Sequence, residues 1–332
     1  MKYTFSLLIL FVITILALFA SQIIGVAVIC RIYDIPLQEF DSVLQNITSH
    51  PELRTSILLL QGFTTQIFGF FAVALFFVKY VYKFNQANPN NGAVHVMNPN
   101  LAQHFLEEPF LQRYKTPTFM FLVVIVLAIV AFPAIQLTGA LNGAVKFPEF
   151  LKGVESWMRL KEEAAQTLTL FMTDFETPLQ TILGFVVIAI FAGLSEEVFF
   201  RGVVQPLFQN LTKNKHTAIW ITAIIFSAIH FQFYGFIPRM LLGALFGYLY
   251  IYTNNIAVPI WAHILNNGIA LFLGLYIDRT LLESPQADEL NFTIVLFGSI
   301  SFVVSLAILI FIKKIMEKEV VKNEGVENKK SW

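Results

Sequence analysis

The 332-residue chain has little charge and a single cysteine. Only 13% of its residues are charged, whereas a soluble domain carries about 25%. Cys30 is the one cysteine, so an internal disulfide and a cysteine-rich metal site are both excluded. The formal net charge is zero, and nothing in it argues for nucleic acid as a partner. A chain that is 56% hydrophobic and so poor in charge is predicted to be a polytopic membrane protein.

Long apolar runs dominate the sequence, and a run of about 20 residues can cross a bilayer. The first run follows Lys2 and is too long for a signal peptide, so we expect it to be a retained span. Eight spans are predicted, at about 4–30, 55–80, 118–141, 179–208, 216–233, 236–253, 256–276 and 291–312. The expected fold is therefore all-α, with about eight transmembrane helices and the functional site inside the helix bundle.

Loop charges predict the orientation of these spans. Lys and Arg cluster in the second connection, in the fourth connection (Lys213 and Lys215) and in the tail, whereas the alternate connections are acidic. Basic residues collect on the cytoplasmic side of a membrane, so both termini are expected to be cytoplasmic. The second connection, 81–117, is predicted to be a cytoplasmic loop. The long connection 143–178 is predicted to contain an amphipathic helix on the membrane surface.

Three regions are expected along the chain. Residues 1–178 form an N-terminal membrane region with three spans and the amphipathic segment. Residues 179–276 form a catalytic core. Residues 277–332 contain the last span and a charged cytoplasmic tail.

The stretch SEEVFFRG places ionisable side chains inside the fourth predicted span. Such residues usually face the protein interior and mark functional sites. Glu197 and Arg201 are four positions apart, so they share a helix face and are expected to form a structural ion pair. Glu196 points about 100° away from that face. One carboxylate is thus neutralised locally, and the other remains available for chemistry.

Two further predicted spans carry polar side chains: His230 in the fifth, and His263 with Asn267 in the seventh. All three sites are estimated to lie roughly 12–22 Å from the cytoplasmic surface, with His230 deepest. A carboxylate, two imidazoles and an amide that converge in a dry cavity are suited to hydrolysis. Glu196 can accept a proton from water. The amide and an imidazole can donate hydrogen bonds to an oxyanion.

These residues resemble the three motifs of the CAAX prenyl protease family in its broad sense, which includes type II CAAX endopeptidases and bacteriocin-processing and self-immunity proteins. The motifs are Glu-Glu-x-x-x-Arg from Glu196, Phe-x-x-x-His ending at His230, and His-x-x-x-Asn from His263 to Asn267. The resemblance covers about residues 179–275. It implies an eight-helix intramembrane endopeptidase. It assigns Glu196 and His230 to water activation, and His263 and Asn267 to transition-state stabilisation.

Metal dependence is left open by the residues. Glu196, His230 and His263 would be a catalytic zinc ligand set with one position left for water. The His-Glu-x-x-His helix of many zinc proteases is absent, however, and a zinc ion would occupy the carboxylate that otherwise acts as the base. Of the two readings a mechanism without an obligatory metal is slightly favoured, and a divalent metal such as zinc stays an alternative that would make the protein a metalloprotease.

The leading hypothesis is an intramembrane endopeptidase that cleaves near the terminus of a membrane-associated protein or peptide. Its expected partners are that substrate and the lipid bilayer, and its expected location is the bacterial cell membrane. One alternative is a proton- or cation-coupled transporter in which Glu196 and the two histidines form a relay. Another is an inactive scaffold of the same fold. We also expect the cavity to open towards the cytoplasmic half of the membrane.

The predicted topology can be tested by single-cysteine labelling after Cys30 is replaced. Cysteines near Asn210 and Thr253 should react with a membrane-impermeant reagent from the cytoplasmic face only, because both positions flank inner turns. Labelling of both positions from the outside would show that the true topology is the reverse of the predicted one.

Overall fold

The computed structural model describes residues 2–82, 116–277, 279 and 290–330, which are helical with no β-strand. The predicted loop 81–117 lies almost entirely outside these residues. The helices are α1 (Lys2–Ile32), α2 (Phe40–Gln45), α3 (Pro51–Tyr80), α4 (Phe119–Gly143), α5 (Lys152–Met172), α6 (Pro178–Thr212), α7 (Lys215–Ala228), α8 (Phe236–Thr253), α9 (Ala257–Tyr276) and α10 (Phe292–Lys330).

Seven of the described helices are long and apolar enough to cross a membrane, which confirms an all-α integral membrane protein. The predicted fifth span, 216–233, is wrong in length. It forms α7, whose 14 residues reach about 21 Å, short of a hydrocarbon core of about 30 Å. The chain leaves the helix at Ala228 and turns, and Phe231 adopts a left-handed backbone with φ of 53°.

Local sequence signals fix several helix ends. Thr177 and Gln180 form a reciprocal capping box at the start of α6, with Pro178 at its first position. Lys213 ends α6 in the left-handed conformation with φ of 57°. The side chain of Asn214 then accepts the backbone N–H groups of the first turn of α7. The tight antiparallel turn between α6 and α7 follows from these two residues.

The middle of α6 belongs to one of two buried apolar clusters. One joins α1, α3 and α6 and includes Phe70, Phe200 and Leu207. The other joins α4, α8, α9 and α10 and includes Met120 and Val258. In the most apolar stretch of α6, 56% of the residues are buried, against 11% in α1. The ionisable residues of α6 are therefore carried by the central helix of the bundle, while α1 leaves most of its surface to lipid.

Helix α5 packs across one end of the bundle. At its C-terminal end, the buried Arg54 of α3 donates to the Phe171 carbonyl at 3.0 Å and pairs with Asp174 at 3.0 Å. Nearer its N-terminus, the rings of Trp157 and Phe233 lie 5.2 Å apart, which joins α5 to the turn between α7 and α8. These contacts hold α5 beside the cavity described below.

Close contact between α6 and α9 depends on Gly193. A Cβ atom at this position would lie 2.6 Å from Ile264 Cγ1 and 2.9 Å from the Ile264 backbone nitrogen. We expect Gly193→Ala to destabilise the protein by about 1–3 kcal/mol, because α9 must move away. Thermal unfolding in detergent would measure this loss.

The matched control is Gly153→Ala on α5, where an added Cβ meets nothing within 4 Å. It should be neutral or stabilising by up to about 1 kcal/mol, because alanine favours helix. Equal melting temperatures for the two variants would contradict the close packing at Gly193.

Candidate functional site

A buried ion pair lies at the centre of the bundle. Arg201 Nη1 donates to Glu197 Oε1 at 2.8 Å, and both side chains are 0% exposed. Arg201 Nη2 donates to the Gly243 carbonyl of α8 at 2.6 Å. The guanidinium also lies 5.2 Å from the ring of Phe226 and 5.6 Å from that of Phe246. Arg201 thus connects α6 with α7 and α8 through a charged group that is fully buried.

His263 joins the same carboxylate. Its Nδ1 lies 2.8 Å from Glu197 Oε1, and its ring stacks on Phe246 with 4.9 Å between centroids. Because a carboxylate accepts from Nδ1, the proton of the neutral imidazole resides there and Nε2 carries a lone pair. Sequence reasoning paired Glu197 with Arg201 alone and did not predict this second contact.

Glu196 is held by a helix that sequence reasoning did not connect with the site. Its Oε1 accepts a hydrogen bond from Gln66 Nε2 of α3 at 3.0 Å, and Gln66 Oε1 accepts one from Ser195 Oγ at 2.6 Å. Glu196 Oε2 lies 4.0 Å from His263 Nε2. The signal for Gln66 was present, since it is a polar residue inside an otherwise apolar span.

His230 follows the end of α7 instead of lying within a span. Its Nδ1 donates to the Phe226 carbonyl at 2.8 Å, which leaves Nε2 without a proton in the neutral ring. Within the described part of the chain, no hydrogen bond joins His230 to Glu196 or His263. The three side chains line one cavity. A water shared by Glu196 and His230 stays a prediction.

Asn267 lies one turn after His263 on α9. Its Nδ2 donates to the Ile188 carbonyl of α6 at 3.0 Å, and its Oδ1 accepts from Asn266 Nδ2 at 3.1 Å. These two bonds hold the amide in place. They use one of the two Nδ2 hydrogens, so the other hydrogen is not engaged in either bond. Both asparagines line the same cavity as Glu196.

The cavity has a volume of about 490 Å³ and a wall rich in amide side chains. Its polar lining, besides Glu196, His230 and His263, includes Gln61, Gln66, Gln136, Glu162, Gln166, Gln232, Arg239, Asn266 and Asn267. Amides both donate and accept hydrogen bonds, so this wall can match the polar groups of a peptide backbone.

The position of the cavity contradicts the expectation about where it opens. Its described lining comes from α5, from the turn between α7 and α8, and from the halves of the other helices on that side; none comes from the turn at Lys213–Lys215. The predicted opening on the side of this basic turn is therefore wrong. Arg239 also lines the cavity.

The residues do not fit a preformed metal centre. Glu196 Oε2 and the Nε2 atoms of His230 and His263 would be the ligand atoms, because both Nδ1 atoms are already hydrogen bonded. Within the described ranges, no three His, Cys, Asp or Glu side chains are grouped closely enough to hold an ion. The ligand set considered from the sequence is thus present in one cavity but not assembled.

Comparison with known proteins places this site in a family context. Residues 178–269 match the family model of the type II CAAX prenyl endopeptidase Rce1-like proteins. The match includes all of the motif residues from Glu196 to Asn267 and slightly more than a quarter of the chain. The resemblance seen in the sequence is confirmed for this segment.

Two curated bacterial proteins are each similar to part of the chain. The uncharacterized protein YpbD of Bacillus subtilis (strain 168) is 31% identical over 81 residues, which is 23% of this chain and 38% of YpbD. The membrane-embedded CAAX protease MroQ of Staphylococcus aureus (strain USA300) is 31% identical over 105 residues, which is 30% of this chain and 42% of MroQ. The chain thus aligns with less than half of either relative. No solved structure matches it.

The buried pair should be far more sensitive to mutation than a surface pair of the same spacing. Arg201→Ala leaves Glu197 charged and buried, which should cost about 3–5 kcal/mol. The matched control is Arg159→Ala, since Arg159 pairs with Glu155 four residues earlier at 2.7 Å but is 52% exposed. Its loss should cost less than about 1 kcal/mol. Detergent melting measures both, and a similar small shift for Arg201→Ala would show that the pair is not essential to the fold.

Proposed function

We propose that the protein is an intramembrane endopeptidase that hydrolyses a peptide bond near the terminus of a membrane-associated protein or peptide. The observation that carries the proposal is the 4.0 Å gap between Glu196 Oε2 and His263 Nε2 in a cavity lined by amides. One water molecule can donate a hydrogen bond to each of these atoms. Its oxygen lone pair then points away from both and can attack a carbonyl carbon.

Glu196 is the proposed general base. As the water oxygen forms a bond to the carbonyl carbon, one water proton passes to Glu196 Oε2. Gln66 holds Oε1 at 3.0 Å, so that the oxygen facing the cavity is Oε2. The protonated Glu196 then gives this proton to the nitrogen of the breaking C–N bond. The products are a carboxylic acid and a free amine, which become a carboxylate and an ammonium ion when the acid proton passes to the amine, and Glu196 is regenerated.

The remaining polar groups receive supporting roles. The Glu197 carboxylate holds Nδ1–H of His263, which keeps Nε2 available to orient the water. The free N–H of Asn267 is suited to donate to the developing oxyanion. His230 keeps Nε2 for a second water or the leaving amine. This proposal uses His263 to orient the water, whereas the family resemblance assigns His230 to water activation and His263 to transition-state stabilisation.

The side of the cavity bears on how a substrate arrives. If the basic turn at Lys213–Lys215 faces the cytoplasm, the half of the bundle with α5 and the cavity faces the opposite side. We therefore infer that the scissile bond is presented from the extracytoplasmic half of the membrane. Exposed apolar residues of α5, such as Val154, Trp157 and Leu160, would let this helix contact lipid beside the opening.

Glu196→Gln should abolish cleavage while the protein stays folded, because the amide keeps the shape and removes the base. The measurement is a comparison of protein and peptide termini in cells that carry the wild type or the variant. We expect some termini to be present in wild-type cells and missing from cells with the Glu196→Gln variant. The matched control is Glu163→Gln, an exposed glutamate on α5, which should reproduce the wild-type termini.

Identical termini in wild-type and Glu196→Gln cells would contradict a protease. An altered proton or cation flux with unchanged termini would favour the transporter alternative, and an unchanged phenotype in Glu196→Gln cells would favour the scaffold.

A further inference from the structure

Arg239 is a cation on the wall of the proposed reaction cavity. It lies in the first turn of α8, is partly buried, and is the only Lys or Arg among the described residues that line this cavity. Its Nη2 donates to Gln232 Oε1 at 2.7 Å, and its Nη1 reaches the Gln232 carbonyl at 3.5 Å. Both acceptors are neutral, so these contacts orient the guanidinium without cancelling its charge.

The same wall carries the positive end of a helix dipole. Helix α8 has 18 residues, and its N-cap residue Gly235 supplies no side-chain cap. Gly235 and Pro238 line the cavity together with Arg239. The N-terminus of a helix favours negative charge. The Ile237 N–H at this terminus already donates to Asn142 Oδ1 at 2.8 Å. The guanidinium of Arg239, which has more N–H groups than Gln232 accepts, is therefore the donor on this wall that can bind an anion.

The acidic side chains of the cavity restrict where that anion can lie. Glu196 is engaged by Gln66 and occupies the α6 wall. Glu162 of α5 accepts the Tyr234 backbone N–H at 3.1 Å. Because Tyr234 directly precedes the N-cap residue of α8, the Glu162 carboxylate lies beside the start of that helix. A second negative group would be repelled by either carboxylate and attracted to Arg239, so it would bind at the guanidinium on the side that faces away from both.

We propose that Arg239 binds a carboxylate of the substrate and thereby positions the peptide with its scissile bond at Glu196. This proposal rests on the proposed endopeptidase function. A carboxylate can accept two parallel hydrogen bonds from a guanidinium, which fixes orientation as well as charge. The carboxylate can be a free C-terminus or the side chain of an aspartate or glutamate. Arg239 would then determine which peptides are cut.

Peptide binding can test this independently of cleavage. The full-length Glu196→Gln protein in detergent is titrated against dye-labelled Leu/Ala hexapeptides, and affinity is read by fluorescence polarisation. One peptide has a free C-terminal carboxylate, one is amidated, and an amidated series carries Asp or Asn at each position. A carboxylate-bearing peptide should bind roughly ten- to a hundredfold more tightly than its neutral counterpart.

Substitutions assign that preference to Arg239. Adding Arg239→Gln should equalise the acid and neutral peptides, whereas Arg239→Lys should retain part of the preference because it keeps the charge. The control is Arg31→Gln, an arginine whose side chain is 89% exposed outside the cavity, and it should leave the preference unchanged. Preference for the free acid identifies a C-terminus as the ligand, and preference for an Asp peptide identifies a side chain.

Two results would overturn the proposal: equal affinity for acid and neutral peptides when Arg239 is present, or no saturable binding of any peptide. An unchanged preference in Arg239→Gln would also overturn it. The endopeptidase function fails separately, if carboxylate preference is found but the protein with Glu196 intact cleaves none of the peptides that bind.

Discussion

The hydrogen-bonded contact of Glu197 with both Arg201 and His263 is the interaction on which the site depends. One carboxylate oxygen accepts from α6 and from α9, each at 2.8 Å, with both Glu197 and Arg201 fully buried. A charge in such surroundings is tolerated only when its partners remain in place. The contact of Glu197 with His263 therefore fixes the position of α9 relative to α6, and it also fixes the proton of His263 on Nδ1. Structural and chemical roles converge on one side chain.

Glu196 differs from Glu197 in the side chains that contact its carboxylate. Glu197 faces a guanidinium and an imidazole, whereas Glu196 receives a neutral amide from Gln66. The first carboxylate is held in place by contacts with the side-chain nitrogens of Arg201 and His263. The second is oriented but not neutralised by a hydrogen-bonded cation, so it can still exchange a proton. Two adjacent glutamates on one helix thus acquire different tasks because they project in different directions.

The cavity combines elements that are remote in sequence. Helix α5, far from the motifs along the chain, supplies Glu162 and Gln166, and α8 supplies Arg239. The contacts of α5 with Arg54 and with the turn between α7 and α8 hold this wall in place. Under the proposed function, the motif residues carry out the hydrolysis and the surrounding walls determine which peptide reaches them. This division explains why family motifs alone say little about substrate.

The sequence by itself determined the all-α membrane architecture and the limits of most helices, because spans are set by long apolar runs and caps by local residues such as Thr177 and Asn214. It also determined the pairing of Glu197 with Arg201, since four-residue spacing puts both on one helix face. The tertiary structure alone decided that α7 is short, that Gln66 reaches Glu196, and that the cavity lies on the α5 side. These features depend on contacts between helices far apart in the chain, which neither periodicity nor loop charge encodes.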